Sequence, residues 1–174
     1  MKEWYIKNGP ESDVVMSTRI RLARNFNDFP FPSRMNREDS EKVLNKVKEA
    51  VFGRSSAIGE NFQFEDIQKM DPIQRQALVE KHLISPDLAE SQSNGGVIIS
   101  DDEKISIMIN EEDHLRIQCL FAGLQLKEAW DLCNKIDNLL EETIDYAFDE
   151  RFGYLTCCPT NIGTGIRASA MLHL

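Results

Sequence analysis

The sequence predicts an α+β fold, an antiparallel β-sheet flanked by helices. Two short β-rich runs, Gly96 to Ser100 and Ile105 to Asn110, are separated only by Asp101-Asp102-Glu103-Lys104, the pattern of a hairpin. Between Leu124 and Phe148, apolar residues recur at three- and four-residue spacing, the period of an amphipathic helix. Strands paired as hairpins and mixed with helices fit α+β better than a doubly wound parallel sheet.

The elements follow in chain order. Val14 to Arg24 (VVMSTRIRLAR) is rich in β-branched and long apolar residues and reads as a strand. Pro30 and Pro32 break regular structure after it. Asn36 then caps a helix to about Phe52 with the apolar stripe Val43, Leu44, Val47, Ala50 and Val51, and Gly53 supplies a stop. Asp71-Pro72 is a cap followed by proline at the first helical position, opening a helix to about Leu83, ahead of Pro86. In the Leu124 to Phe148 helix the stripe is Leu126, Trp130, Cys133, Ile136, Leu140, Ile144 and Ala147. Tyr154 to Cys158 reads as a strand and Pro159 to Gly165 as a turn-rich loop. Arg167 to Leu174 reads as a last strand pairing inside the sheet.

The 174 residues suffice for one core, and the whole chain is read as one unit. No run of 18 apolar residues is present, so no membrane span is expected, and MKEWYIKNGPESD has no apolar signal core, which points to the cytoplasm. Twenty Lys plus Arg against 29 Asp plus Glu leave a net charge of −9, which argues against direct nucleic-acid partners. Cys119, Cys133, Cys157 and Cys158 form no CxxC pair and no zinc spacing with histidine, so free thiols and no protein metal site are expected.

Three segments could carry chemistry. In Ser17-Thr18-Arg19-Ile20-Arg21, strand alternation puts Arg19 and Arg21 on one face with Cα atoms about 7 Å apart, a spacing that suits two guanidinium forks on a polyphosphate. Alone, the same pattern also describes a solvated strand face. Asn110-Glu111-Glu112-Asp113-His114-Leu115-Arg116 sets three carboxylates in succession, either a solvated turn or a site for a cationic substrate. Thr156-Cys157-Cys158-Pro159-Thr160-Asn161 leads into Gly163-Thr164-Gly165-Ile166-Arg167, where a thiol beside a Gly-rich turn can gain thiolate character or simply be buried. No GK[ST] follows the glycines, which excludes a Walker A loop. His82 alone has no distinctive context.

Taken in order, STRIRLARN, NEEDHLRIQ and CPTNIGTGIRAS resemble the signature segments of the ATP:guanido phosphotransferases, over about Val14 to Leu174. Within that family the chain resembles the branch that phosphorylates arginine in proteins, through KHLISP, NIGTGIRASAMLHL and the early position of the first arginine motif. That position leaves no room for the separate N-terminal helical domain of the small-guanidine kinases.

The resemblance implies a set of roles. Arg19, Arg21, Arg116 and Arg167 hold the phosphates of ATP, with Ser17, Thr18 and Ile20 beside them. Ala168, Ser169, Ala170 and Met171 line the nucleotide, and His82 lies against the nucleoside. Glu112, helped by Glu111, orients the acceptor guanidinium and takes its proton, and Cys158 sits near it as a thiolate; strand alternation would point Cys157 to the other side. Mg²⁺ accompanies ATP. Implied partners are arginine-bearing protein substrates, with a stress-response repressor and Clp protease components as candidates and a homodimer as a candidate assembly. Complete members continue past the residue matching Leu174 with a later arginine and a second catalytic glutamate. The chain is therefore expected to be the N-terminal part of the catalytic domain, inactive alone. Two rival readings remain: a kinase for free arginine or another small guanidine, and a non-catalytic ATP-binding fragment.

Overall fold

In the computed structural model, residues 4–6, 8–53, 59–91 and 93–173 are described. Strands β1 (Val15–Arg24), β2 (Phe62–Asp66), β3 (Gly96–Ser100), β4 (Ile105–Ile109), β5 (Leu115–Ala122) and β8 (Ile166–Leu172) form one sheet in the order β2-β3-β4-β5-β1-β8. Every neighbouring pair is antiparallel. A two-residue pair, β6 (Phe148–Asp149) with β7 (Gly153–Tyr154), stands apart. Helices α1 (Arg37–Phe52), α2 (Pro72–Glu80), α3 (Pro86–Glu90) and α4 (Leu126–Glu141) complete the fold. Among the described residues no helix is long and apolar enough to cross a membrane.

The two faces of the sheet are covered differently. On one face, Ile20 and Leu22 of β1 and Leu115, Ile117 and Cys119 of β5 pack against α1 and α4 in a continuous core. The opposite face carries a second core around Ile67, Leu83, Ile84 and Leu88, packed on Val97, Ile99, Met108 and Leu120, with Trp4 against its edge. That cover lies over β3, β4 and the far end of β5. Arg19 and Arg21 of β1 and Arg167 of β8 lie on this same face beyond it.

The α1 prediction holds in detail: Asn36 Oδ1 accepts from the Asp39 amide at 2.8 Å, and the stripe is buried apart from half-buried Leu44. The predicted hairpin is β3–β4. Helix α2 has its Asp71 cap but stops at Glu80, because His82 takes a left-handed φ of 59° and turns Leu83 and Ile84 into the second core. Helix α4 is shorter than its apolar pattern. Ile144 and Ala147 are buried from the loop after it, and Leu126, in its first turn, is exposed rather than packed. Of Tyr154 to Cys158 only Tyr154 is in a strand. Among the described residues strand β8 pairs with β1 and stands last in the strand order.

Candidate active site

Strand alternation assembles the arginines. In the antiparallel register Arg21 faces Arg167 directly across β1–β8, Arg19 faces Ser169, and Ala23 faces Arg116 across β1–β5. All four guanidinium-bearing residues thus share one side of the sheet. Arg19 donates to Ser169 Oγ at 3.4 Å. Among the described residues neither Arg19 nor Arg21 has a carboxylate partner, and Arg21 Nε is buried without any acceptor. Both are half-buried, and burial is the largest influence lowering their pKa values, Arg21 to about 10. Repulsion adds to it: Arg167 and Arg116 act on Arg19, and Arg19, Arg167 and Arg116 act on Arg21. Both stay charged at neutral pH. Only the Glu111 carboxylate works against this repulsion at Arg21, without an ion pair. Half-buried, like-charged forks of this kind are an arrangement that a polyanion relieves.

Arg116 differs. Its Nη1 donates to Glu111 Oε1 at 2.9 Å and its Nη2 lies 2.8 Å from Glu111 Oε2, with a looser 3.3 Å contact to Glu112. The Glu111 side chain is only 2% exposed and also accepts from Ser85 Oγ and the Glu112 amide. Its oxygens are therefore engaged. In this arrangement it holds Arg116 in place. The Glu112 side chain, 45% exposed, has the freer carboxylate.

Glu111 and Glu112 line a hollow of about 750 Å³ together with Cys157, Asn110 and the residues that open α1. Cys157, expected to point away, is part of this lining. The reason is local: residues 155–158 form no strand, so alternation does not set the two side chains apart. Burial, with Asp113 and Glu112 nearby, pushes the Cys157 thiol up to about 12, so it is a neutral thiol at pH 7. Cys158 Sγ lies 3.0 Å from Thr160 Oγ1.

A smaller hollow of about 240 Å³ lies next to Arg19, lined by Ser17, His82, Leu120, Ser169 and Met171, with Ala170 at its wall. Thr18, Ile20, Ala168 and Ala170 fall on the other side of the strands by alternation. Thr18 is fully buried and donates to the Gly123 carbonyl at 2.6 Å, and Ile20 is in the main core. Their side chains do not reach the arginine face, and they can serve a ligand there only through backbone atoms.

The sequence reading missed a buried polar lattice that holds these segments together. Arg24, on the apolar side of β1, makes a two-pronged pair with Asp137 of α4 at 3.1 and 2.7 Å. It also donates to the Thr164 carbonyl and stacks 3.6 Å over the Tyr154 ring, tying down the Gly-rich turn. A Cβ on Gly165, already at φ +67°, would strike the Ala23 carbonyl and Arg24 Nη1. Asp113 accepts from Asn25 Nδ2 at 2.6 Å and from the Cys157 amide at 2.7 Å, which links the Glu112 turn to the cysteine segment. His114 Nδ1 accepts from the Phe26 amide, so Nε2 carries the proton and donates to the Pro30 carbonyl. Burial drives its pKa down to about 4 and keeps it neutral. One signal was present: Arg24 falls on the Ile20–Leu22 face, where a charge needs a partner.

Residues 42–174 match the family described as ATP:guanido phosphotransferase, C-terminal catalytic domain. This chain belongs to the ATP:guanido phosphotransferases. It is 56% identical over 164 residues to the protein-arginine kinase of Caldanaerobacter subterraneus subsp. tengcongensis, covering 94% of this chain and 49% of that protein. It is 50% identical over 174 residues to the protein-arginine kinase of a Geobacillus species, covering 100% of this chain and 48% of the relative. The chain thus spans about half the length of the curated relatives it matches. Solved guanido phosphotransferases share its fold. The duplicated taurocyamine kinase of Schistosoma mansoni with bound transition-state analogue components superposes with a TM-score of 0.86 at 25% identity, over 94% of this chain and 24% of that one. Lombricine kinase gives 0.83 at 26% identity, over 94% and 49%.

Proposed function

We propose that this chain contributes to ATP-dependent phosphorylation of arginine residues in proteins, by transfer of the γ-phosphoryl group to a guanidinium nitrogen. The observation that carries the reading is the convergence of Arg19, Arg21, Arg116 and Arg167 on one face of the sheet, beside an exposed glutamate that lines an open hollow. Cations for the donor and a carboxylate for the acceptor match a reaction between a polyanion and a guanidinium. The identity to protein-arginine kinases supports a protein-borne acceptor over a free small guanidine.

In this reading Arg19, Arg21 and Arg167 clamp the phosphates, and Ser17, Ser169, Met171 and His82 flank the nucleoside in the adjoining hollow. Arg116, held square by Glu111, completes the clamp. A guanidinium is a poor nucleophile because its lone pairs are delocalised and its pKa exceeds ~12. Glu112 orients it and accepts one N–H proton as the N–P bond forms and the bond from Pγ to the ADP oxygen breaks. The arginines stabilise charge on the in-line transition state. Cys158, which follows Cys157 of the hollow's wall, is a further acceptor proposed from the family resemblance. Among the described residues no group of three metal-ligating side chains occurs. Mg²⁺ would accompany the nucleotide and offset phosphate charge, and no protein ligand is assigned to it. We place the activity in the cytoplasm, where ATP and protein substrates meet.

Glu112→Gln in the full-length natural protein keeps the shape and removes the proton acceptor. Arginine phosphorylation of a protein substrate should fall by about 10²–10⁴-fold while ATP affinity barely changes. Undiminished turnover would remove Glu112 from the chemistry.

A further inference from the structure

The hollow beside Glu112 does not end where a guanidinium would. A second hollow of about 480 Å³ adjoins it, and the two share Arg37, Gln68 and Asn94 in their walls. Together they run from the Glu112 turn, past the first turn of α1, to Phe64 on edge strand β2. The first hollow alone, about 750 Å³, is several times the volume of an arginine side chain. Its lining mixes polar side chains, among them Asn36, Arg37, Asn94 and Glu112, with apolar surface from Pro32 and Met35.

The charges along this groove are uneven. Glu111 and Glu112 stand at the inner end. Farther out, the Arg37 guanidinium makes no ion pair or hydrogen bond with any described residue, and Lys48 has only the face of Phe64, 4.3 Å from its ammonium. The acidic groups there are Glu41 and Asp66, and Asp66 is already paired with Lys69 at 3.2 Å. Arg37, exposed, and Lys48, half-buried, are thus two cations without an ion pair among the described residues, with Glu41 the one carboxylate of this wall not already paired, on a chain whose net charge is −9. The wall has one further unmet group: Asn110 is buried, its Nδ2 is held by the Ser40 and Asn94 carbonyls, and its Oδ1 has no donor.

We infer that this groove seats the polypeptide on one side of the acceptor arginine in extended form, and that Arg37, supported by Lys48, selects substrates carrying an acidic residue a few positions from the target. The inference rests on the proposed protein-arginine acceptor. An extended chain advances about 3.3 Å per residue, so side chains three to five residues away sit about 10–17 Å from the arginine Cα, outside the repulsion of Glu111 and Glu112. An acidic residue there gains Arg37. A basic one meets two like charges.

The test uses the full-length natural protein and three peptides, each with a single arginine and with glutamate, glutamine or lysine at the third to fifth positions on both sides. For the wild type, kcat/KM with the glutamate peptide should exceed that with the lysine peptide by about fivefold or more, as one to two partly exposed ion pairs allow. Raising salt should shrink the ratio. Arg37→Glu should reverse the preference within the same enzyme preparation, so a general loss of folding or activity does not imitate the result. Equal use of all three peptides by the wild type, or a ratio indifferent to the charge at residue 37, overturns the groove while leaving the protein-arginine acceptor standing. Phosphorylation of free arginine with no peptide phosphorylated overturns both.

Discussion

Strand β1 carries arginines on both of its sides, and the two sides treat them in opposite ways. Arg24 is 3% exposed and fully partnered, by Asp137, two backbone carbonyls and the Tyr154 ring. Arg19 and Arg21, a few residues earlier, are half-buried, have no ion-paired carboxylate among the described residues and repel Arg167. The same side chain on the same strand is a structural rivet on the helix-covered side and an unsatisfied cation on the other. A fully buried charge persists only if the fold supplies its counter-ion. A half-buried one can persist unmet, and what it lacks indicates what it binds.

That contrast is open to direct attack, from the largest expected effect downward. Arg24→Ala strands Asp137 in the core and should lower unfolding free energy by about 3–5 kcal/mol, read by urea denaturation. Paired replacement of Arg24 and Asp137 by apolar residues should recover most of that loss.

His114 gives a pH-dependent version of the same test. Its folded pKa of about 4 lies below the ordinary 6.5. Its contribution is therefore fully present above pH 6.5 and is lost as pH falls toward 4, because the unfolded chain takes up the proton first. The loss across that window should be roughly 3 kcal/mol, and His114→Gln should flatten this part of the stability profile.

On the other side of β1 the expectation inverts. Arg21→Gln should weaken ATP binding by about 1.5–3 kcal/mol, measured by calorimetry, with fold stability unchanged or slightly raised. It removes a like charge and a buried donor that has no acceptor. A large fall in stability would mean that Arg21 is a second Arg24. The smallest effect concerns reactivity: with its pKa pushed up to about 12, Cys157 should react with iodoacetamide at pH 7.5 at under about a hundredth of the rate of an unperturbed thiol.

Much of this fold was legible because local signals and tertiary demands agree. Helix α1 has its Asn36 cap, its buried stripe and its stop within 16 residues, and the β3–β4 hairpin has only a short polar turn between its strands. Elements were lost where the signals were mixed. In β5, Arg116 and Gln118 interrupt an apolar run that also follows the acidic turn, so the strand was absorbed into the motif. In α4 the apolar pattern continues past the helix because Ile144 and Ala147 are buried from a loop, and burial has no period of its own there.

The sequence by itself determined the family, the α+β class and the side of β1 on which Arg19 and Arg21 lie. These follow from residue order and from a two-residue period, which are properties of the chain. Only the tertiary structure decided that Arg167 stands directly across from Arg21, that Glu111 is spent on Arg116, and that Cys157 joins the wall of the Glu112 hollow. Each depends on strand register or on an irregular segment. Pairings between residues tens of positions apart are fixed by how the two cores close around the sheet, and no local pattern encodes them.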